Sequence, residues 1–207
     1  LHSGYDLKTA RRSMNLLTIE WANRGINMWT IDEGFINLVQ GTSTYDLPAA
    51  TIDLIEQVIR TGAGSTTLQS DLNLSRISVS TYSSVPNKLT QGRPIQVWVD
   101  RLRDNPTVTV WPVPDRGTAI APYYILRYWR LRRIENAGAG IETPDMNFRF
   151  FPALVSGLAY YIATKIPELM PRVEMLKSQY EEQYALAAGE DREKASISLV
   201  PRIYGVS

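Results

Sequence analysis

The sequence predicts an α+β protein: a helical bundle built from the N- and C-terminal parts of the chain, an inserted antiparallel β module and an extended C-terminal arm. Apolar residues recur every three or four positions near both ends of the 207-residue chain, which is typical of amphipathic helices. The middle contains short runs of β-branched residues separated by turns, which indicate strands. We therefore expect residues 1–34 and 136–194 to share the bundle, residues 35–135 to form the β module and residues 195–207 to form the arm.

The amino-acid composition argues against several functional classes. The formal net charge is only +1, which argues against overall electrostatic attraction as the main means of holding DNA. There is no cysteine, so neither a disulfide framework nor a thiolate metal site exists. No run of about 20 apolar residues occurs, as a membrane-spanning helix would need, and we expect no membrane partner. The five Trp and eleven Tyr residues are of types that anchor interfaces as well as cores.

The first element is predicted to be a helix from Asp6 to Arg24. Its apolar residues follow spacings of three and four and so form one stripe: Leu7, Ala10, Met14, Leu17 and Trp21. Asp6 is of a type that caps helix N-termini, and Gly25 is of the type that ends helices. The stripe requires a packing partner, and we expect the C-terminal helices to supply it.

The β module is predicted to contain roughly five or six strands, a usual size for one sheet. The predicted strands are a strand–turn–strand region beginning at Phe35–Val39, then Ile52–Arg60, a weaker segment Leu68–Leu74, Gln96–Asp100, Thr107–Trp111 and Tyr123–Arg133. Gln96–Asp100 and Thr107–Trp111 are joined by a turn that contains Pro106, so they should pair as a hairpin. Ser78–Val85 is predicted to form one or two helical turns capped by Ser78.

Two helices separated by a proline hinge are predicted between Phe148 and Ala188. The first is apolar almost all the way round, and such a helix is normally buried on most sides, so we expect a central core helix. Pro167 ends it near Ile166, and Pro171 suits the first turn of the next helix. The second helix is amphipathic, with a stripe made of Val173, Leu176, Tyr180, Tyr184 and Ala187.

The last residues alternate apolar and polar side chains around Pro201, which indicates an extended segment rather than a helix. Two interpretations remain open: a tail that adds to the edge of a partner's sheet, or a frayed terminus. Under the first interpretation the partner-binding residues are Ile197, Leu199, Pro201, Arg202, Ile203 and Tyr204.

The sequence contains no motif that requires catalysis or metal binding. The only histidine is His2, so no Ser–His or Cys–His nucleophile pair and no two-histidine zinc motif can be assembled without it. The segment Gly62–Ser65 lacks the lysine and the spacing of a phosphate-binding loop. Paired acids, such as Asp32 with Glu33 or the run that starts at Glu190, are found in carboxylate hydrolases, but such runs are usually solvated. We predict no enzyme activity, no metal and no cofactor.

A basic cluster on the last predicted strand is the strongest candidate for contact with nucleic acid. It consists of Arg127, Arg130, Arg132 and Arg133, with Arg101 and Arg103 on the neighbouring hairpin. Interleaved with Tyr128 and Trp129, these arginines could combine base stacking with phosphate contacts. Alternatively they form ion pairs with nearby acids, for which the candidates are Asp100, Asp104, Asp115 and Glu135. We favour the ion pairs.

Taken in order, these elements resemble the head-to-tail adaptor, or connector, proteins of tailed bacteriophages. The resemblance covers nearly the whole chain and rests on the order and spacing of its segments rather than on any one of them. The segments are NLLTIEWANRGINMWTIDEG, VQGTSTYDLPAATIDLIEQVIR, VPNKLTQGRPIQVWVDR, VTVWPVPD, YYILRYWRLRRIE, TPDMNFRFFPALVSGLAYYIATKIP and DREKASISLVPR.

The resemblance implies a structural virion protein that is made in the host cytoplasm and located at the head–tail junction. It implies a ring, typically twelve-fold, that joins the portal protein to a tail, nozzle or tail-terminator protein and continues the DNA channel. DNA would pass without sequence-specific binding, and the C-terminal tail would reach up to the portal. The candidates to face the lumen are Arg127, Arg130, Arg132 and Arg133. The family has no shared catalytic residues to carry over.

A ring of head-to-tail contacts requires two different complementary faces on each subunit. We predict that the first helix and the helix Pro171–Ala188 supply part of these faces. The alternative function, from a different class, is a nucleic-acid-binding β-barrel module that uses Arg127, Arg130 and Arg132 with neighbouring aromatic residues. Binding by such a module would weaken steeply with salt.

Overall fold

The computed structural model describes residues 4–25, 30–102, 104–134 and 145–190. These residues form an α+β fold, as predicted. They fall into two compact units: residues 4–25 and 145–190 form a helical unit, and residues 30–102 with 104–134 form a β unit. The predicted C-terminal arm, residues 195–207, lies outside the described residues.

Helices and strands follow one another along the chain in nearly the predicted order. The elements are α1 (Gly4–Asn23), β1 (Ile31–Asn37), β2 (Thr44–Asp46), β3 (Thr51–Thr61), β4 (Ser70–Asn73), β5 (Ser75–Arg76), α2 (Val79–Ser83), β6 (Gln91–Gly92), β7 (Gln96–Asp100), β8 (Thr107–Trp111), β9 (Val113–Pro114), β10 (Tyr124–Arg132), α3 (Phe151–Ala163) and α4 (Val173–Glu190). A 3₁₀ turn, Phe148–Phe150, leads into α3, and another, Pro167–Arg172, precedes α4. Strands β5, β6 and β9 were not predicted, because two residues are too few to show a periodicity.

The described part of the β unit contains two four-stranded sheets and a two-stranded ladder, so the prediction of one sheet is wrong. The first sheet has the order β1-β10-β3-β4 and is antiparallel throughout. The second has the order β2-β8-β7-β5, in which β7 and β8 form the predicted hairpin. In the first sheet β10 lies between β1 and β3, a pairing between distant segments that local periodicity does not encode.

Alternation along β10 buries Tyr124, Leu126 and Tyr128 on one face of the first sheet. The core cluster to which they belong also contains Leu54, Ile59, Val97, Val99, Val108 and Val110, so it draws on both four-stranded sheets. Gly34 of β1 lies opposite Tyr128. A Cβ atom at Gly34 would lie 2.5 Å from Cζ of Tyr128, so the glycine leaves the space that the ring fills.

Helix α1 begins before the apolar stripe from which it was predicted. Its first residue is Gly4, so Asp6 lies inside the helix, and the prediction of Asp6 as N-cap is wrong. At the other end Gly25 has a φ of 84°, the left-handed conformation that was predicted to end the helix. Leu17 and Trp21 from the predicted stripe are fully buried.

Helix α3 packs against both α1 and α4. Helix α4 buries Tyr180, Tyr184 and Ala187 from its predicted stripe. A Cβ atom at Gly157 of α3 would lie 2.9 Å from Cδ2 of Tyr180 and 3.0 Å from Cδ1 of Leu17. The glycine therefore permits the close approach of all three helices, since any larger residue would collide with its neighbours.

The prediction that α3 is buried on most sides is wrong for the chain as described. Ala153, Leu154 and Gly157 are buried, but Phe151 and Val155 on the other side are exposed, and Val155 retains 68% of its accessible surface. The two partner helices cover only one side of α3, which is why its remaining apolar surface stays open. Even so, no helix within the described ranges is long and apolar enough to cross a membrane.

Candidate interaction surfaces

A hydrogen-bonded cluster joins α1 to α3 and α4. Trp21 Nε1 donates to Tyr180 Oη at 3.0 Å, and Tyr180 Oη donates to Glu20 Oε1 at 3.2 Å. Tyr161 Oη donates to Glu20 Oε2 at 2.7 Å. Burial, and secondly the bond to Glu20, raise the pKa of Tyr161 to about 12, and burial likewise raises the pKa of Tyr180. Both phenols are therefore neutral donors at physiological pH.

An ion pair between Arg24 and Glu181 lies next to this cluster and joins the end of the α1 region to α4. Arg24 donates from Nη1 and Nη2 to the two carboxylate oxygens of Glu181, at 2.8 and 2.7 Å. The Arg24 guanidinium also lies 4.4 Å from the ring centroid of Tyr184. The hydrogen bonds between the pair raise the pKa of Arg24 and lower the pKa of Glu181. The contacts fix the position of α4 relative to α1.

Each of these three helices has a second stripe on the side opposite its buried one. We call them the outer stripes: Lys8, Arg12, Leu16, Ile19 and Asn23 on α1; Phe151, Pro152, Val155 and Ala159 on α3; Met175, Gln179, Glu182 and Leu186 on α4. All of these residues are exposed. Leu16 and Ile19 retain 46% and 51% of their accessible surface, and Met175 and Leu186 retain 53% and 63%.

A helix with large apolar side chains on two opposite sides can bury both sets only with a partner on each side. The buried stripes find theirs inside the helical unit, whereas the outer stripes leave large apolar side chains in contact with water. Exposed apolar patches of this kind usually mark protein–protein contact surfaces. Only the buried stripes were predicted from the sequence, although the spacing of Met175, Gln179, Glu182 and Leu186 by four, three and four would have revealed the outer stripe of α4.

The arginines predicted to face nucleic acid do not share one face of the sheet. Arg127, Arg130 and Arg132 lie on β10, and Arg133 follows the end of that strand. The register with β1 is regular along its whole length. Because successive side chains on a strand point to opposite faces, Arg127 lies on one face and Arg130 and Arg132 lie on the other.

The three arginines on β10 form ion pairs with β1. Arg127 donates to Glu33. On the other face, Arg130 Nη2 donates to Asp32 Oδ2 at 3.2 Å, and Arg132 Nε lies 3.1 Å from the same oxygen. Most of the positive charge of this strand is therefore balanced by carboxylates on the adjacent strand. Asp32 and Glu33, the acids considered above as a catalytic pair, are occupied in the same contacts.

Ion pairing was the favoured prediction for this cluster and is confirmed for the three arginines on β10, with two acids that were not among the predicted partners. Asp32 and Glu33 are more than 90 positions from the arginines in sequence and become neighbours only through the β1–β10 register. Of the other residues named for the cluster, Arg101 lies 3.4 Å from Asp53, and Asp115 pairs with Arg116 at 3.0 Å. Arg103 and Glu135 lie outside the described residues.

The residues predicted to bind a partner through the arm also lie outside the described residues: Ile197, Leu199, Pro201, Arg202, Ile203 and Tyr204. The same is true of His2. Within the described ranges, no group of three or more His, Asp or Glu side chains is arranged to hold a metal ion.

Comparison with curated proteins gives no match for this chain. A family model described as SU10 adaptor protein matches residues 6–202. The match extends over the described helices and strands of both units, the same extent over which the sequence resembles phage adaptors. The chain belongs to the SU10 adaptor protein family.

Proposed function

We propose that this protein is the head-to-tail adaptor of a tailed bacteriophage, in which copies of the chain form a ring that joins the portal to the tail and continues the DNA channel. The observation that carries the proposal is the family match over residues 6–202. An adaptor family implies a structural component of the virion rather than an enzyme.

Two features of the helical unit favour the proposed ring. Each subunit of a ring needs at least two contact faces, and the outer stripes give the unit more than one exposed apolar surface. The cluster around Glu20 and Tyr180 keeps the helices that present these surfaces in a fixed arrangement. Because the helices are already held in place, less conformational entropy is lost when subunits assemble.

In this proposal the arm that follows Lys194 docks on the portal and the other end of the ring receives a tail, nozzle or tail-terminator protein. The alternation of Ile197, Leu199 and Ile203 with polar residues supports the addition of the arm to a partner's sheet edge. DNA passes through the ring without being read. The ring size expected from the family resemblance is twelve-fold.

Arg127, Arg130, Arg132 and Arg133 remain the candidates to face the lumen. Because Arg127 lies on one face of the first sheet and Arg130 and Arg132 lie on the other, we propose that only one of these two sets lines the channel. For the three on β10, the pairing with Asp32 and Glu33 supports a channel wall with little net attraction for phosphate. A wall that bound DNA tightly would slow its exit. The same pairing weakens the alternative of a nucleic-acid-binding module, because phosphate would have to displace carboxylates that are already bound.

A nonsense mutation in the reading frame of this protein, propagated in suppressor and non-suppressor hosts, tests the proposal in the intact virus. We expect DNA-filled heads with portals and separate, unjoined tails in the non-suppressor host, as seen by electron microscopy. Supplying the wild-type chain from a plasmid should restore joined particles. Normal tailed virions without the protein, or an absence of filled heads, would contradict an adaptor role.

A further inference from the structure

The outer stripe of α1 combines positive charge with an apolar pair. Lys8 and Arg12 precede Leu16 and Ile19 along the stripe, and all four side chains are exposed. The stripe contains no carboxylate. Glu20, which follows Ile19 on the helix, accepts a hydrogen bond from Tyr161 and lies outside the stripe.

The outer stripe of α4 has the opposite charge and a similar apolar content. Glu182 lies between Met175 and Leu186, and the stripe contains no basic residue. In the described part of the chain, neither Glu182 nor Arg12 forms an ion pair. Both charges are therefore available to a partner of opposite sign.

The spacing of the two stripes matches in either helix direction. Leu16 follows Arg12 by four residues and Leu186 follows Glu182 by four, so a parallel pair that sets Arg12 opposite Glu182 also sets the two leucines opposite each other. Ile19 follows Arg12 by seven residues and Met175 precedes Glu182 by seven, so an antiparallel pair brings those two apolar residues together. Either arrangement buries apolar surface beside an ion pair.

We infer that the α1 outer stripe of one copy packs against the α4 outer stripe of a second copy, with Arg12 facing Glu182. This inference rests on the proposed ring and identifies its subunit contact. The two stripes cannot meet within one chain, because each lies opposite the side on which its helix packs against α3. A contact between different surfaces of identical chains is head-to-tail, and repeating it gives a closed ring when the rotation between neighbouring copies is a whole fraction of a turn. The α3 outer stripe has no charged residue and so no charge to match with either.

Charge reversal tests this contact with four proteins: the wild type, Arg12→Glu, Glu182→Arg and the double variant. The mass of each is measured over a concentration series, alone and with a preparation of the portal ring. Two exposed charges outside the stripes, Arg93 and Glu168, provide matched controls as Arg93→Glu and Glu168→Arg. Circular dichroism checks that each variant keeps the helix and strand content of the wild type.

Each single reversal should raise the concentration needed for ring assembly at least about tenfold, because two like charges then meet at every contact. A one-to-one mixture of the two single variants should assemble as the wild type does when the two variants alternate around the ring. Each contact then joins a glutamate to an arginine: position 12 of Arg12→Glu faces position 182 of Glu182→Arg, and Arg12 of Glu182→Arg faces Glu182 of Arg12→Glu. The double variant should assemble alone but should not enter rings with the wild type. The two control reversals should change the assembly concentration less than about twofold.

If the wild type forms rings and both single variants assemble as readily as the wild type, this contact is wrong. That result would not contradict the adaptor role. Loss of assembly in the single variants without recovery in their mixture would also overturn the pairing of Arg12 with Glu182. A wild type that stays monomeric both alone and with portal would overturn the ring itself, and the contact with it.

Discussion

Arg24, which directly follows α1, and Glu181 in the middle of α4 are 157 positions apart in the chain, yet they form a two-pronged ion pair with distances of 2.8 and 2.7 Å. The same guanidinium lies over the Tyr184 ring. The first and last described helices are thus joined by directional contacts as well as by apolar packing. The geometry of the proposed subunit contact depends on this junction, because the two outer stripes lie on these same helices.

Removing the guanidinium should therefore destabilise the helical unit. We expect Arg24→Ala to lower the free energy of unfolding by about 1 kcal/mol, since a partly exposed two-pronged pair is stronger than an ordinary surface ion pair. Denaturant unfolding of the variant measures the loss. Arg172→Ala, at an exposed arginine in the turn before α4, is the control and should be nearly neutral. Equal effects from the two variants would contradict the role of the pair.

The pair also predicts a contribution to stability that depends on pH. Its hydrogen bonds lower the pKa of Glu181 from the ordinary 4.5 in the folded state, so the contribution is fully present above about pH 4.5 and is lost as pH falls through the lower folded value. The stability difference between the wild type and Glu181→Gln should shrink between pH 7 and pH 3. Denaturant unfolding at a series of pH values measures it. A stability difference that stays constant with pH would show that the negative charge of Glu181 does not contribute and that the side chain acts only through its packing.

Two glycines in the helices should respond in opposite ways to alanine. A Cβ at Gly157 would lie 2.9 Å from the Tyr180 ring, which is held by hydrogen bonds, so overpacking should outweigh the gain in helix propensity. We expect Gly157→Ala to cost about 1–2 kcal/mol of stability. At Gly189 a Cβ would have no neighbouring atom within 4 Å, so Gly189→Ala should be neutral or stabilising by up to about 1 kcal/mol. Thermal or denaturant unfolding compares the two. A stabilising Gly157→Ala would mean that the helices are not as closely packed as described.

The pairing of the β10 arginines predicts weak binding to DNA. We expect the purified protein to bind single- or double-stranded oligonucleotides with a shallow salt dependence between about 50 and about 200 mM salt. Arg127→Gln should change that binding little, because Glu33 already occupies the guanidinium. Fluorescence anisotropy provides the measurement. Affinity that falls by orders of magnitude over this range, and falls further in Arg127→Gln, would support the nucleic-acid-binding alternative.

The arm can be tested apart from the fold. A stop codon after Lys194 should abolish docking on the portal while leaving unfolding of the described helices and strands unchanged. Co-sedimentation with portal rings measures docking, and a variant that replaces Ile197, Leu199 and Ile203 by serine separates the apolar contacts from the length of the arm. If the shortened chain sediments with the portal as the wild type does, the arm does not bind it.

Features that depend on local pattern were predicted correctly from the sequence. The stripe that buries Leu17 and Trp21, the Gly25 stop and the β7–β8 hairpin follow from spacing and turn chemistry within a few residues. The Ser78 cap is of the same kind: its side chain accepts a hydrogen bond from the backbone N–H of Thr81, as predicted for a capping serine.

Features that depend on distant pairing were not predicted. The partners of Arg127 and Arg130 follow from the register of two strands that lie about 95 positions apart in the chain, and the order of the first sheet follows from the position of β10 between β1 and β3. The exposed side of α3 was not predicted for a related reason. The sequence of a helix that is apolar on all sides does not indicate how many of those sides the rest of the same chain covers. The exposed surface of Val155 depends on the three-helix packing, and local hydropathy does not encode that packing.

The mass of the purified protein, measured alone and mixed with a portal preparation, tests the ring most directly. The adaptor proposal predicts a closed ring of identical subunits bound to the portal, with a mass that corresponds to one size of ring at every ratio of the two components. A protein that remains a monomer under both conditions, and does not sediment with the portal, would contradict it.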